Sequence, residues 1–229
     1  MHIHTYIAIF CLLFTLAGYY STKAMHGRFK KVWLIPLVSV PVLIVAMLLI
    51  SGISYTDYIQ ESHWLVWMLG PATVAFAIPV YENKKIIRNH WLSITTGVVV
   101  AVIAALVSTI LLSKAMHLSD LLQKSLAVRS ITTPFAVVAS KEIGGKPDLT
   151  AIFVVMTGIV GIVVGETMLG LFKVRSRHGK GAGLGASAHG SGTAIAYGIH
   201  SKAGTIASLI MLFSGVATVL IAPALTLVI

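Results

Sequence analysis

The sequence predicts an all-α integral membrane protein, a polytopic helical bundle of about six full spans plus two re-entrant or discontinuous segments, with inverted-repeat character. Three observations carry this. Of 229 residues, 57% are hydrophobic and only 10% charged, against roughly 25% charged in soluble domains. The apolar residues gather in long runs separated by short basic loops, the pattern of spans with cytoplasmic Lys/Arg. Two apolar stretches are broken by groups that hydrocarbon does not tolerate without partners: Arg129-Ser-Ile-Thr-Thr-Pro134 and Ser187-Ala-His189-Gly-Ser-Gly-Thr193.

Taken in order, Ile3 to Tyr20 reads as the first span. Its leading Met-His-Ile-His-Thr-Tyr has no basic n-region, so it is expected to be retained and not cleaved as a signal. Lys23, His26, Arg28, Lys30 and Lys31 form a cytoplasmic loop. Val32 to Ser51 is the second span, with Pro36 and Pro41 in its first half. Asp57 and Glu61 place the next loop outside. His63 to Tyr81 is a third run, with Trp64 and Trp67 suited to an interfacial belt. There Gly70-Pro71-Ala72-Thr73 is expected to restart a half-helix, with Pro71 at its first position. Lys84, Lys85 and Arg88 are cytoplasmic, Trp91 to Leu112 is an unbroken fourth span, and Lys114 to Lys124 lies outside.

Parity then constrains the rest. Leu149 to Phe172 is a span followed by the densest basic loop, Lys173, Arg175, Arg177, His178 and Lys180. If that loop is cytoplasmic, Lys124 to Asp148 must enter and leave on the outer side. By the same logic Gly181 to Lys202 enters and leaves on the inner side, and Ala203 to Ile229 is the last span. Eight full crossings would put one basic loop on the wrong side of the charge rule. A faint echo between Thr73-Val-Ala-Phe-Ala-Ile78 and Thr193-Ala-Ile-Ala-Tyr-Gly-Ile199 hints at an internal repeat.

The interruptions are the candidate site. Thr133-Pro134 reads as a helix start, with Thr133 as cap and Pro134 at the first helical position. Such a start offers free N–H groups and about half a positive charge to an anion. Arg129, Ser130, Thr132 and Thr133 add donors suited to a carboxylate. His189, between small residues, offers a titratable donor, and Ser191, Gly192 and Thr193 let a second half-helix begin beside it. Thr73 is included from the interrupted third run. The blander alternatives are Arg129 snorkelling to the interface and His189 bonded inside the bundle. Glu166 is either a proton site or a packing residue. Gly161 and Gly165 form a GxxxG, a mark of close helix packing.

Other classes are disfavoured. The basic residues lie in loops and not on a face with interleaved aromatics, so nucleic acid is not an expected partner. Cys11 is the single cysteine, and no second His or Cys stands at ligand spacing, so no metal or other cofactor is expected. Gly179-Lys-Gly-Ala-Gly-Leu-Gly185 fails the phosphate-loop pattern and follows a membrane span instead of a strand. No catalytic constellation stands out.

Gly52-Ile-Ser-Tyr55, Pro71-Ala-Thr-Val-Ala75, Pro79-Val-Tyr81, Arg129-Ser-Ile-Thr-Thr-Pro134, Gly144-Gly145 and His189-Gly-Ser-Gly-Thr-Ala194 together resemble the bacterial LrgB/CidB family over nearly the whole chain, read as a single membrane domain of residues 1–229. The resemblance implies a multi-pass inner-membrane protein working with a smaller LrgA/CidA-type membrane protein. It implies one of two roles: transport of small monocarboxylates such as pyruvate, glycolate or glycerate, or antiholin-like control of murein hydrolases and lysis. A homo-oligomer is left open. The chain departs from the family pattern at Val40 before Pro41, at Ala188 before the His, and at Ile195 after Gly-Thr-Ala. These departures bear on the substrate.

Overall fold

A computed structural model describes residues 2–29, 32–75 and 77–227, with the side chains of residues 2–4, 32, 73 and 166 outside the description. No strand occurs among the described residues. By length and composition, five helical runs can cross a membrane: Thr5–Phe29, Tyr55–Glu82, Trp91–Ala115, Pro147–Leu171 and Ser201–Leu225, with Pro36–Ser51 a shorter apolar helix. Large apolar side chains such as Leu49, Val100, Leu111, Val160 and Leu220 are exposed along them, as surfaces that meet lipid require. The chain is a multi-pass membrane protein. It divides into two compact units, Met1–Pro71 and Ala72–Ile229.

The first unit holds α1 (His2–Phe29), a 3-10 turn (Val32–Leu34), α2 (Pro36–Ser51) and α3 (Tyr55–Trp67). Pro36 opens α2, where its missing N–H costs nothing. Gly52 ends it in the left-handed conformation, φ 65°. Ser54 caps α3 by accepting from the Asp57 N–H. α1 packs on α3, with the Thr15 and Tyr58 hydroxyls 3.4 Å apart and Cys11 buried. The third apolar run is more broken than the sequence implies. A turn at Met68 separates α3 from α4 (Leu69–Ala75). Pro71 is the third residue of α4, not the first, because the helix already begins at Leu69.

The second unit continues with α5 (Ala77–Glu82), α6 (Lys84–Asn89), α7 (Trp91–Ala115), α8 (Asp120–Ala127), α9 (Thr133–Glu142), α10 (Pro147–Leu171), α11 (Arg177–Ile199) and α12 (Ser201–Leu225). α7, α10 and α12 have 25 residues each, about 37 Å of helix, enough to cross the hydrocarbon.

Close approaches fix their directions. A Cβ on Gly181 would lie 2.2 Å from the Ala203 carbonyl oxygen, and one on Gly185 2.3 Å from that of Ala207. Both positions advance together, so the first arm of α11 (177–188) runs parallel to α12. Against α10 the order reverses: Gly161 meets Ala188 and Gly165 meets Leu184. α10 is therefore antiparallel to α12.

α11 is broken at His189, whose φ of 50° and ψ of −126° belong to no helix. Eight helical residues span about 12 Å, yet a Cβ on Gly192 would sit 2.0 Å from the Leu184 carbonyl oxygen. The second arm (190–199) thus doubles back over the first, and α12 starts beside the place where α11 started. This is the re-entrant hairpin expected over Gly181 to Lys202.

α8 and α9 form the other hairpin. Its base is fastened to the start of α10: the Lys146 N–H donates to Ser125 Oγ (2.9 Å), Thr150 Oγ1 donates to the Ser125 carbonyl (3.0 Å), and the Ser140 and Thr150 hydroxyls are 2.7 Å apart. Ser125, Ser140 and Thr150 are all fully buried. Such a network is stable in apolar surroundings only when its members are satisfied. Gly145 is needed here, since a Cβ would lie 2.7 Å from Ser140 Oγ and 3.1 Å from the Ser125 nitrogen.

One hairpin therefore enters at the start of α10 and the other at its end, from opposite faces. Hairpin plus α10, then hairpin plus α12, form an inverted pair. The faint echo pointed elsewhere: the repeated feature is a hairpin followed by a long helix, not a shared string of side chains. The α11 end carries Lys84, Lys85, Arg88, Lys173, Arg175, Arg177, Lys180 and Lys202, while the other mixes Lys114, Lys124, Lys141 and Lys146 with Asp120, Glu142 and Asp148. The first end faces the cytoplasm by the charge rule.

Candidate functional site at the hairpin tips

The tips meet at the middle of α10. Arg129, in the turn after α8, donates from Nη1 to Thr157 Oγ1 at 3.2 Å. Thr157 passes its own proton to the Phe153 carbonyl at 2.7 Å, which leaves its lone pairs for the guanidinium. Thr157 stands ten residues into α10, about 15 Å along it. One turn further, Gly161 takes Ala188, the residue before the break in the other hairpin. His189 is 3% exposed and lies near both the Arg129 backbone and its charge. Its Nε2 has no hydrogen-bond partner among the described residues.

Two features mark this as more than packing. His189 holds a backbone conformation that glycine adopts readily and a residue with Cβ does not. Strain of this kind costs about 1–3 kcal/mol and collects at functional sites. Arg129 has no carboxylate within ion-pair distance among the described side chains.

A cavity of about 680 Å³ begins at Arg129 and Leu126. It follows α10 from Phe153 to Phe172, with Gly183, Leu184 and Ser187 on the opposite wall, and ends at Val174 near the basic loop. Its walls are mostly apolar and its deep end carries the guanidinium.

The other expected residues fall as follows. Thr132 caps α9, without a side-chain cap bond, and Thr133 is the first helical residue, so the cap lies one position earlier than the sequence suggests. Thr132, Thr133 and Pro134 are half-buried at the tip. Ser130 turns the other way, lining a separate small cavity against α7 and α12. Thr193 is buried and its hydroxyl donates to Met211 Sδ at 3.9 Å. Gly192 is the close-approach glycine of the hairpin, and Ser191 is half-buried beside it. The Thr73 side chain lies outside the described residues, as does that of Glu166.

The sequence profile of the LrgB-like family matches residues 15–228, across both compact units. The chain belongs to the LrgB family. It is 38% identical over 218 residues to the uncharacterized protein YwbG of Bacillus subtilis, covering 95% of this chain and 97% of the relative. It is 32% identical over 215 residues to the antiholin-like protein LrgB of the same organism, covering 93% of each. The holin-like protein CidB of Staphylococcus epidermidis is 28% identical over 220 residues, with 96% of each chain covered. No solved structure matches the chain.

Within this LrgB-family chain, Thr157 is the site residue that sequence reasoning missed. A hydroxyl in an apolar helix ordinarily satisfies itself on a carbonyl four residues back, and Thr157 does that as well as receiving Arg129. Its one signal is its spacing of four before Gly161. The GxxxG of Gly161 and Gly165 faces the first arm of α11. It is occupied within the chain and is not a free seam for a partner helix.

Proposed function

We propose that this LrgB-family chain is a transporter, or the binding subunit of one, for small monocarboxylates such as pyruvate or glycolate. The supporting observation is the Arg129 guanidinium at mid-depth with no carboxylate partner among the described residues. Arg129 is half-buried; an unpaired charge at mid-depth of a membrane is costly, and a bound carboxylate relieves it with two parallel hydrogen bonds. The N-terminus of α9 adds about half a positive charge at the same tip, and His189 Nε2 supplies a further polar contact. One guanidinium in apolar walls suits one carboxylate on a small body. Hairpins entering from opposite faces and meeting at one site are the arrangement that alternating access uses. No chemistry on the substrate is required, so the reading is non-enzymatic, over one functional domain. An LrgA/CidA-type small membrane protein is the partner the family resemblance implies.

The test is uptake of labelled pyruvate, lactate or glycolate into proteoliposomes. Saturable uptake that collapses in Arg129→Ala and His189→Ala variants supports the reading; undiminished uptake in both removes the site. A second reading, antiholin-like control of lysis, is favoured by the names of two relatives, the antiholin-like LrgB and the holin-like CidB. It predicts that Arg129→Ala cells retain normal control of murein hydrolase activity.

A further inference from the structure

The tip of the α8–α9 hairpin has two chemically different sides. Arg129 lies on the side of the large cavity, and Ser130 on the other. There a void of about 10 Å³, room for one water-sized body, is enclosed by the unwound segment around Ala127, Val128 and Ile131 and by α7 and α12. Ser130, Ser214 and Thr218 line it. Ser214 is 4% exposed and its Oγ has no hydrogen-bond partner among the described residues. A buried, unsatisfied hydroxyl costs about as much as a lost hydrogen bond, so one facing a void of this size marks a missing ligand. Thr218 is buried too, one turn further along α12.

We propose that this void is a Na⁺ site. Its side-chain donors are hydroxyls and its remaining polar groups are backbone of the unwound tip, the set that holds alkali cations at broken membrane helices. α8 ends at Ala127, so the negative end of its dipole points at the same place. Among the described residues no carboxylate lines the void, which disfavours Ca²⁺ and Mg²⁺. A bare Na⁺ is smaller than a water and fits; K⁺ is the poorer match.

The role of the ion rests on the transport reading. Ser130 adjoins Arg129, so Na⁺ and the guanidinium repel one another until an anion neutralises the latter. Carboxylate and Na⁺ then each raise the other's affinity, by the same factor, as linkage demands. Na⁺ is thus the coupling ion, bound on one side of the tip while the substrate is bound on the other.

Binding of ²²Na⁺ to the full detergent-solubilised chain, in choline or K⁺ at constant ionic strength, tests the site without needing transport. Expected are saturable binding, displacement by Na⁺ at least tenfold better than by K⁺, at least tenfold loss in Ser214→Ala and Thr218→Val, and retention in Thr218→Ser, which keeps the hydroxyl. Arg129→Gln should abolish carboxylate uptake yet still bind ²²Na⁺. Absence of ²²Na⁺ binding by the wild-type chain, or binding unchanged in both Ser214→Ala and Thr218→Val, overturns the site. Site-dependent binding without any carboxylate uptake overturns the coupling role and the transport reading together, and leaves the Na⁺ site standing.

Discussion

Gly161→Ala adds one methyl group where the hairpin tips meet. That Cβ would lie 2.3 Å from Ala188 Cβ and 3.0 Å from its Cα. Carbon atoms settle at about 3.5–4.0 Å, so Ala188 must withdraw by about 1.2 Å or more. The obstacle includes backbone, which no rotamer change relieves. Overpacking of this kind costs about 1–3 kcal/mol, offset by about 0.5–1 kcal/mol for Gly→Ala within a helix. The net destabilisation is about 0–2.5 kcal/mol. Ala188 immediately precedes His189, so its retreat carries the imidazole away from Arg129. Loss of one hydrogen bond to a charged group is worth about 1.5–3 kcal/mol, or roughly 10- to 100-fold in carboxylate affinity. Thermal unfolding in detergent and binding of labelled pyruvate or glycolate measure the two effects. Gly170→Ala is the control: it lies on the same helix with nothing within 4 Å of the new methyl, and should be neutral or slightly stabilising with full binding. If Gly161→Ala matches Gly170→Ala in both assays, the convergence of the tips on α10 is refuted.

Four further outcomes follow from the same geometry. Arg129→Lys keeps the charge but loses the planar fork, so uptake should fall at least tenfold while remaining above that of Arg129→Gln, read as initial rates in proteoliposomes. Thr157→Val removes the acceptor that orients the guanidinium and should raise the half-saturating carboxylate concentration about tenfold, the scale of one charge-assisted bond. His189→Gly should unfold at the same or a higher temperature than wild type, because glycine accepts φ 50°, yet lose binding; His189→Ala keeps the strain and should lose binding without that gain. With Cys11 replaced, a Lys141→Cys variant should react with impermeant thiol reagents from the outer face, and a Lys202→Cys variant from the inner face.

Much of the second unit was legible because membrane physics writes it into composition. α7, α10 and α12 are apolar runs of span length, and the basic loops set their directions. Arg129 and His189 betrayed both hairpin tips because no charge or imidazole sits cheaply in hydrocarbon. Less legible were features carried by geometry. The cap at Thr132 instead of Thr133 is a one-residue difference in where helical dihedrals begin, and both residue types cap equally well. Ser130 and Arg129 are neighbours in sequence, so nothing in the string told which side of the tip each would face. The break at Met68 lies upstream of its cause: Pro71 has no N–H for the Trp67 carbonyl four residues back, and its ring crowds that carbonyl. The inverted pair was misplaced in sequence because its two hairpins share a plan but fasten differently, one through hydroxyls and one through glycines.

That difference in fastening bears on how the site is held. The first arm of α11 is seated along its length against α12, through Gly181 and Gly185 on backbone carbonyl oxygens, and against α10 through Gly161 and Gly165. In lipid, where apolar association gains little from exclusion of water, such close approach is the main source of cohesion. The α8–α9 hairpin is tied at its base by the Ser125, Ser140 and Thr150 network, and near its tip by the Arg129–Thr157 bond. The second arm of α11 is seated by glycines too, Gly192 against the Leu184 carbonyl oxygen and the Tyr197 ring over Gly204, while Ala194, Gly198 and Ile199 are exposed. Strain at His189, the joint between two seated arms, is therefore held in place by packing on both sides of the break, beside Arg129. The strained joint and the Arg129–Thr157 bond are thus fixed from two independent directions, one through glycine contacts and one through hydroxyls.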